Sequence, residues 1–229
     1  MPRPEAAKAW CEPMPAAAGP RLVAITDLSA ASQSQAALVA HLRRLASAAT
    51  PGSLALLLRD HSASARQRLS LGRELRDIAR SFEQELWVAD RLDLALLLEA
   101  DALHLGEASV SASSARRLVG SNVGISRAWH ESTCASAAQV AELAQVDVLL
   151  VSPVMAPRKG RGALGALVLG VLGEQLRARN SACKLYALGG VTAENAAACR
   201  AAGAFGVAAI GAALGDRALD LLTALEIAR

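Results

Sequence analysis

Three cations fall within one short glycine-bearing stretch, Pro157-Arg158-Lys159-Gly160-Arg161-Gly162, directly after an apolar run. Guanidinium and ammonium groups on a pliable loop can fold over phosphate oxygens and neutralise a departing anion. A solvated basic loop is the plain alternative, and the residues alone favour neither. Arg59 sits in Leu57-Leu58-Arg59-Asp60-His61. A charge that follows an apolar strand is either paired, here with Asp60 or Asp90, or aimed into a site. Asp90 suits two roles, magnesium ligand or cap of the next helix. Leu188-Gly189-Gly190-Val191-Thr192 passes from an apolar run into a helical pattern, and Ile210-Gly211-Ala212 follows the next apolar run. Small residues at such junctions let backbone N–H groups close on an anion, and two adjacent glycine-bearing junctions favour a phosphate cradle over plain tight turns. His104 and His130 are candidates for general acid–base work, although His104 lies inside an apolar run, the usual setting of a core histidine.

These residues need a scaffold that brings distant junctions together. From Arg21 onward, short apolar runs alternate with Ala/Leu-rich segments of helical period, the pattern of parallel strands joined by helices. The strands expected are Leu22–Thr26, Leu54–Arg59, Leu86–Ala89, Ala102–His104, Val123–Ser126, Val148–Ser152, Leu185–Leu188 and Gly206–Ile210. The helices expected between and after them are Gln33–Ala48, Ser64–Arg80, Leu92–Glu99, Ser111–Leu118, Cys134–Ala144, Val168–Arg179, Ala193–Ala202 and Arg217–Ala228. Ser64, Asp90, Ser111, Thr133, Thr192 and Asp216 stand where a side-chain oxygen would cap a helix start. Eight strands in 229 residues point to a single α/β domain, a (β/α)8 TIM barrel, spanning 21–229. An open doubly wound sheet is disfavoured because no GxGxxG follows the first strand. In such a barrel the strand ends carry the reactive groups, which gathers the candidates above at one mouth.

Composition narrows the function. Only 3% of residues are aromatic while 53% are hydrophobic, so the core is built from Ala, Val, Leu and Ile. Net charge is +3 with basic residues scattered, which gives no footprint for nucleic acid or a membrane surface. Cys11, Cys134, Cys183 and Cys199 are too dispersed for a zinc motif or disulfide framework, so a reducing, cytoplasmic setting is expected. Residues 1–20 lack a continuous apolar segment, read as a frayed tail and carry no secretory signal. Apolar runs such as Val146–Val151 are far short of the roughly 20 residues that span a bilayer.

Taken together, the segments from about Arg21 to Leu214 resemble the thiamine-phosphate synthase/TenI family. The stretches carrying the resemblance include Leu58-Arg59-Asp60, Asp90-Arg91-Leu92-Asp93-Leu94-Ala95, Ala100-Asp101-Ala102-Leu103-His104-Leu105-Gly106, Gly124-Ile125-Ser126, Ser152-Pro153-Val154, Ala187 to Ala196 and Gly206-Val207-Ala208. The resemblance implies a transferase of thiamine biosynthesis that couples hydroxymethylpyrimidine diphosphate to a thiazole phosphate. It implies that Arg59 and Lys159 hold pyrophosphate, with His61 and Arg158 beside them, and that Ser126 contacts the pyrimidine. Gly189, Gly190, Ile210 and Gly211 would surround the thiazole phosphate, and Asp90 would bind Mg2+. The implied partners are the phosphorylated pyrimidine and thiazole, with no nucleic acid or membrane; a homo-oligomer stays open.

This chain departs from the family pattern inside the site. Leu57 stands for the family's Gln, His61 for its Lys, Ala89 for its Asn, Ser109 for its second magnesium Asp and Gly211 for its Ser, while its Thr-x-Thr-Lys loop reads Ala156-Pro157-Arg158-Lys159. Losing one carboxylate weakens a magnesium site. The tautomerase branch carries a histidine where this chain has Pro153. A tautomerase, another enzyme on a small phosphorylated heterocycle and a non-catalytic phosphate-ligand-binding protein remain the alternatives.

Overall fold

Strands buried on both faces read as continuous apolar runs, and here eight of them close on one another. The computed structural model describes residues 19–28, 34–132, 136–156, 160–179, 181–227 and 229. The strands are β1 (Leu22–Ile25), β2 (Leu54–Leu58), β3 (Glu85–Ala89), β4 (Ala102–Leu105), β5 (Gly124–Trp129), β6 (Val148–Val151), β7 (Lys184–Leu188) and β8 (Gly206–Ala209). All neighbours pair in parallel, and β8 returns to β1 to complete a closed barrel. The helices are α1 (Gln35–Ala48), α2 (Ala65–Ser81), α3 (Leu92–Leu97), α4 (Ala112–Val119), α5 (Ala137–Leu143), α6 (Leu167–Arg177), α7 (Ala193–Ala201), the short α8 (Gly211–Leu214) and α9 (Ala218–Ala224).

Alternation along the strands divides the apolar side chains between two cores. Val23, Ile25, Leu57, Trp87, Leu150 and Tyr186 fill the barrel interior. Leu22, Leu56, Val88, Leu103, Leu149 and Val207 face outward into the layer beneath the helices. Several helix starts are fixed locally. Ser34 Oγ accepts from Ala37 N–H, Ser111 Oγ accepts from Ser114 N–H, and Ser64 and Gln67 form a capping box. Asp90 and Asp216 do not serve as caps: the residues before α3 and α9 are Arg91 and Arg217, without side-chain cap bonds.

Most element ends fall within a few residues of expectation, and two differences bear on the barrel floor and the mouth. Tyr186 Oη donates to the Pro20 carbonyl and Pro20 is buried, so Gly19 and Pro20 belong to the barrel floor. Residues 1–18 of the expected tail, with Cys11, lie outside the described residues, as do Thr133 and Cys134. The fifth strand continues past Ser126 to Trp129, because outward-facing Arg127 interrupts the apolar run without breaking the ladder to β6. Its guanidinium bonds the Val110 carbonyl and pairs with Glu142 at 3.4 Å. No helix among the described residues is long and apolar enough to cross a membrane.

Candidate active site

The carboxyl ends of the strands enclose a cavity of about 630 Å3. Arg59 and His61 reach it from the end of β2, Asp90 from β3, Gly189 and Gly190 from β7, and Ile210 and Gly211 from β8. Candidates separated by more than 150 residues in sequence thus share one wall. Arg158 and Lys159 lie outside the described residues.

Arg59 is presented without an acidic partner: among the described residues, no carboxylate lies within ion-pair distance of its guanidinium. Asp60 is occupied elsewhere. Its Oδ2 accepts from Thr26 Oγ1 and its Oδ1 from Leu28 N–H, each at 2.5 Å, and Thr26 Oγ1 in turn accepts from Arg59 N–H at 3.0 Å. The buried carboxylate therefore anchors the ends of β1 and β2 and sets the backbone from which Arg59 projects.

Asp90 adopts a left-handed backbone, φ +61°, and turns its carboxylate across to the loop after β4. Oδ1 accepts from Gly106 N–H at 3.0 Å and from the Ser109 hydroxyl. Oδ2 faces His61 Nδ1 at 3.8 Å. Burial acts to raise the Asp90 pKa, but the Ser109 hydroxyl, the Gly106 amide and the neighbouring histidines outweigh it and hold the carboxyl below its ordinary range.

Ser126 takes a different place from the one expected. It is fully buried one pleat below the mouth, where its Oγ lies 3.0 Å from His104 Nδ1. Because β5 runs on, Ala128 and His130 are the residues of this strand that line the cavity. His104 lines it from below, and burial pushes its pKa down to about 4, so the ring is neutral near pH 7. His130 Nδ1 lies 2.7 Å from the Ser152 carbonyl oxygen, and Nε2 faces Glu107 at 3.9 Å. Glu107 holds Arg161 at 2.6 Å across the mouth, and this contact keeps the Glu107 carboxyl below its ordinary pKa. The expected basic loop therefore contributes at least one cation to the cavity rim. Glu107 was not legible as a site residue; its position two residues beyond β4 was the only signal.

The glycine pair is required by close packing. Gly189 and Gly190 have φ of +93° and +74°. A Cβ on Gly189 would lie 2.8 Å from Pro153 Cα, and one on Gly190 would lie 2.6 Å from Ala156 Cβ. Bareness there lets the loop after β6 bond onto this turn, through Val154 N–H to the Leu188 carbonyl and Met155 N–H to the Gly189 carbonyl, each at 2.9 Å. Asn195 tethers the turn to α7: its Oδ1 accepts from Thr192 N–H and its Nδ2 donates to the Gly190 carbonyl. Beside it, the first turn of α8 begins at Gly211, where N–H groups have no partner within their own helix.

The donors fit magnesium narrowly. Ser109 donates into Asp90 Oδ1, which leaves Oδ2, facing His61 Nδ1 at 3.8 Å, as the oxygen without a hydrogen bond among the described residues. No group of three or more His, Cys, Asp or Glu among the described residues is arranged to hold a metal. Magnesium is commonly held by one or two carboxylates together with substrate phosphates, so this arrangement suits an ion that arrives on a diphosphate.

Comparison with known proteins agrees with this geometry. Residues 22–213 match the family model described as thiamine monophosphate synthase. The chain is 36% identical to a thiamine-phosphate synthase of Moorella thermoacetica, covering 72% of this chain and 76% of the relative. It is 34% identical to a thiamine-phosphate synthase of Roseiflexus castenholzii, covering 89% and 85%. In fold it is similar to thiamine phosphate pyrophosphorylase from Pyrococcus furiosus, with a TM-score of 0.70 at 21% identity over 90% of this chain and 95% of that one. By the extent and identity of these matches, the chain belongs to the thiamine monophosphate synthase family.

Proposed function

We propose that this protein is a thiamine-phosphate synthase that joins hydroxymethylpyrimidine diphosphate to a thiazole phosphate in the cytoplasm, with these two small molecules as its partners. The observation that carries the reading is the placement of Arg59, which has no acidic partner among the described residues, in the same cavity as two glycine-bearing turns. The same cavity thus supplies charge for a diphosphate and backbone N–H groups for a phosphate monoester.

In the transfer, the thiazole nitrogen donates its lone pair to the pyrimidine methylene carbon, and the carbon–oxygen bond to diphosphate breaks with its electron pair leaving on oxygen. Arg59 and His61 bind the diphosphate, and Arg158 and Lys159 extend that charge from the loop after β6. Asp90 Oδ2 would hold magnesium, which when bound supplies further positive charge to the departing group. The glycine turns hold the thiazole phosphate at a fixed distance, so the reacting atoms meet in one orientation. Ser126 acts beneath the site by fixing the His104 ring.

Calorimetric titration tests the reading. Wild type is expected to bind thiazole phosphate and, with magnesium, pyrophosphate; Arg59→Ala and Asp90→Ala are expected to lose pyrophosphate and keep thiazole phosphate. Binding of thiazole phosphate alone, indifferent to magnesium and to both substitutions, would contradict a transferase site.

A further inference from the structure

The site contains a proton donor that phosphate binding does not use. A carbonyl oxygen only accepts, so the 2.7 Å contact with the Ser152 carbonyl puts a hydrogen on His130 Nδ1 and leaves Nε2 as the nitrogen that gains or loses the titrating proton. The charged group facing Nε2 is Glu107, from the loop after β4, whose carboxylate also holds Arg161, from the loop after β6. At 3.9 Å, the Glu107 carboxylate is too far for a hydrogen bond, so Nε2 has no hydrogen-bond partner on that side among the described residues. Arg161 follows Arg158 and Lys159 in the basic loop, and His130 and Arg161 line the same cavity as Arg59. Neither other cavity histidine is as suited. His104 has its Nδ1 engaged with Ser126 and is neutral, and His61 opposes Asp90.

We propose that His130 is the general acid of the transfer, protonating the diphosphate oxygen through Nε2 as that oxygen leaves the methylene carbon. The electron pair of the breaking carbon–oxygen bond passes to oxygen, the oxygen takes the proton, and the neutral imidazole recovers a proton from solvent. This role compensates for a magnesium site with a single open carboxylate oxygen. It rests on the synthase reading.

Steady-state synthesis of thiamine phosphate between about pH 6 and 9 tests the assignment in wild type, His130→Gln and His130→Asn. Positioned proton transfer contributes about 10²–10⁴-fold, so His130→Gln is expected to lower kcat by about a hundredfold or more. Its KM values should stay within about threefold of wild type, because binding is not what was removed. The decline of kcat at high pH should vanish in His130→Gln. A kcat within about twofold of wild type in His130→Gln, or a loss confined to KM, would overturn the role. If His130→Gln fails to fold by thermal melting, His130→Asn is read in its place, and a kcat within about twofold of wild type there overturns it. A wild type that forms no product removes the synthase reading and this proposal together, whereas product formation with an unaffected His130→Gln removes the proposal alone.

Discussion

Replacing Gly190 by alanine adds one methyl group whose surroundings are fixed. The backbone there has φ +74°, and the new Cβ would lie 2.6 Å from Ala156 Cβ and 2.8 Å from Ala156 N. A left-handed backbone costs an ordinary residue about 1–2 kcal/mol. Overpacking against atoms that cannot step aside costs about 1–3 kcal/mol more. The sum, about 2–5 kcal/mol, corresponds to a fall in Tm of roughly 4–20 °C for a chain of this size. Gly211→Ala is the matched control, since its Cβ would meet nothing within 4 Å and its φ is not positive. That variant should melt within about 2 °C of wild type, or slightly higher because alanine favours the helix, yet should weaken thiazole phosphate binding by placing a methyl in the cavity. Differential scanning calorimetry and phosphate-ester titration read the two effects separately. Equal melting of wild type and Gly190→Ala would refute the argument that the loop after β6 is seated on a bare glycine turn.

Other consequences concern charge. Arg59→Ala should weaken pyrophosphate binding by about 10–100-fold, the equivalent of one charge-assisted bond of roughly 1.5–3 kcal/mol, with thiazole phosphate affinity unchanged by titration. At the barrel floor, burial pushes the Glu85 pKa up to about 7 despite its bond from Trp87 Nε1 at 2.6 Å. Because its folded pKa lies above the unfolded value, ionisation penalises the fold above pH 7, and that penalty fades as pH falls towards 4.5; Glu85→Gln should therefore raise stability at pH 8 by up to about 3 kcal/mol and barely at pH 4.5, measured by urea unfolding. His104 behaves oppositely in acid. Its folded pKa of about 4 lies below the unfolded value, so stability falls between pH 6.5 and 4, and His104→Asn should flatten that slope.

The barrel was legible because its strands are buried on both faces, so Leu54–Leu58 and Val148–Val151 stand out as unbroken apolar runs. Where a charge turns outward within a strand the signal fails. Arg127 made β5 look finished at Ser126, which moved that serine to the mouth and left His130 among general candidates. The glycine turns and Arg59 were legible as cavity-lining positions because they stand directly after apolar runs. The functions of Asp90 and Glu107 depend on partners 16 to 54 residues away, in Gly106, Ser109 and Arg161, and no local pattern encodes those distances. The four-residue α8 is too short to show a helical period.

The most direct test of the account supplies purified protein with hydroxymethylpyrimidine diphosphate, thiazole phosphate and magnesium, and follows thiamine phosphate by its fluorescent oxidation product. The account predicts multiple turnovers by wild type and loss of turnover in Arg59→Ala. No product above a control without enzyme would contradict it.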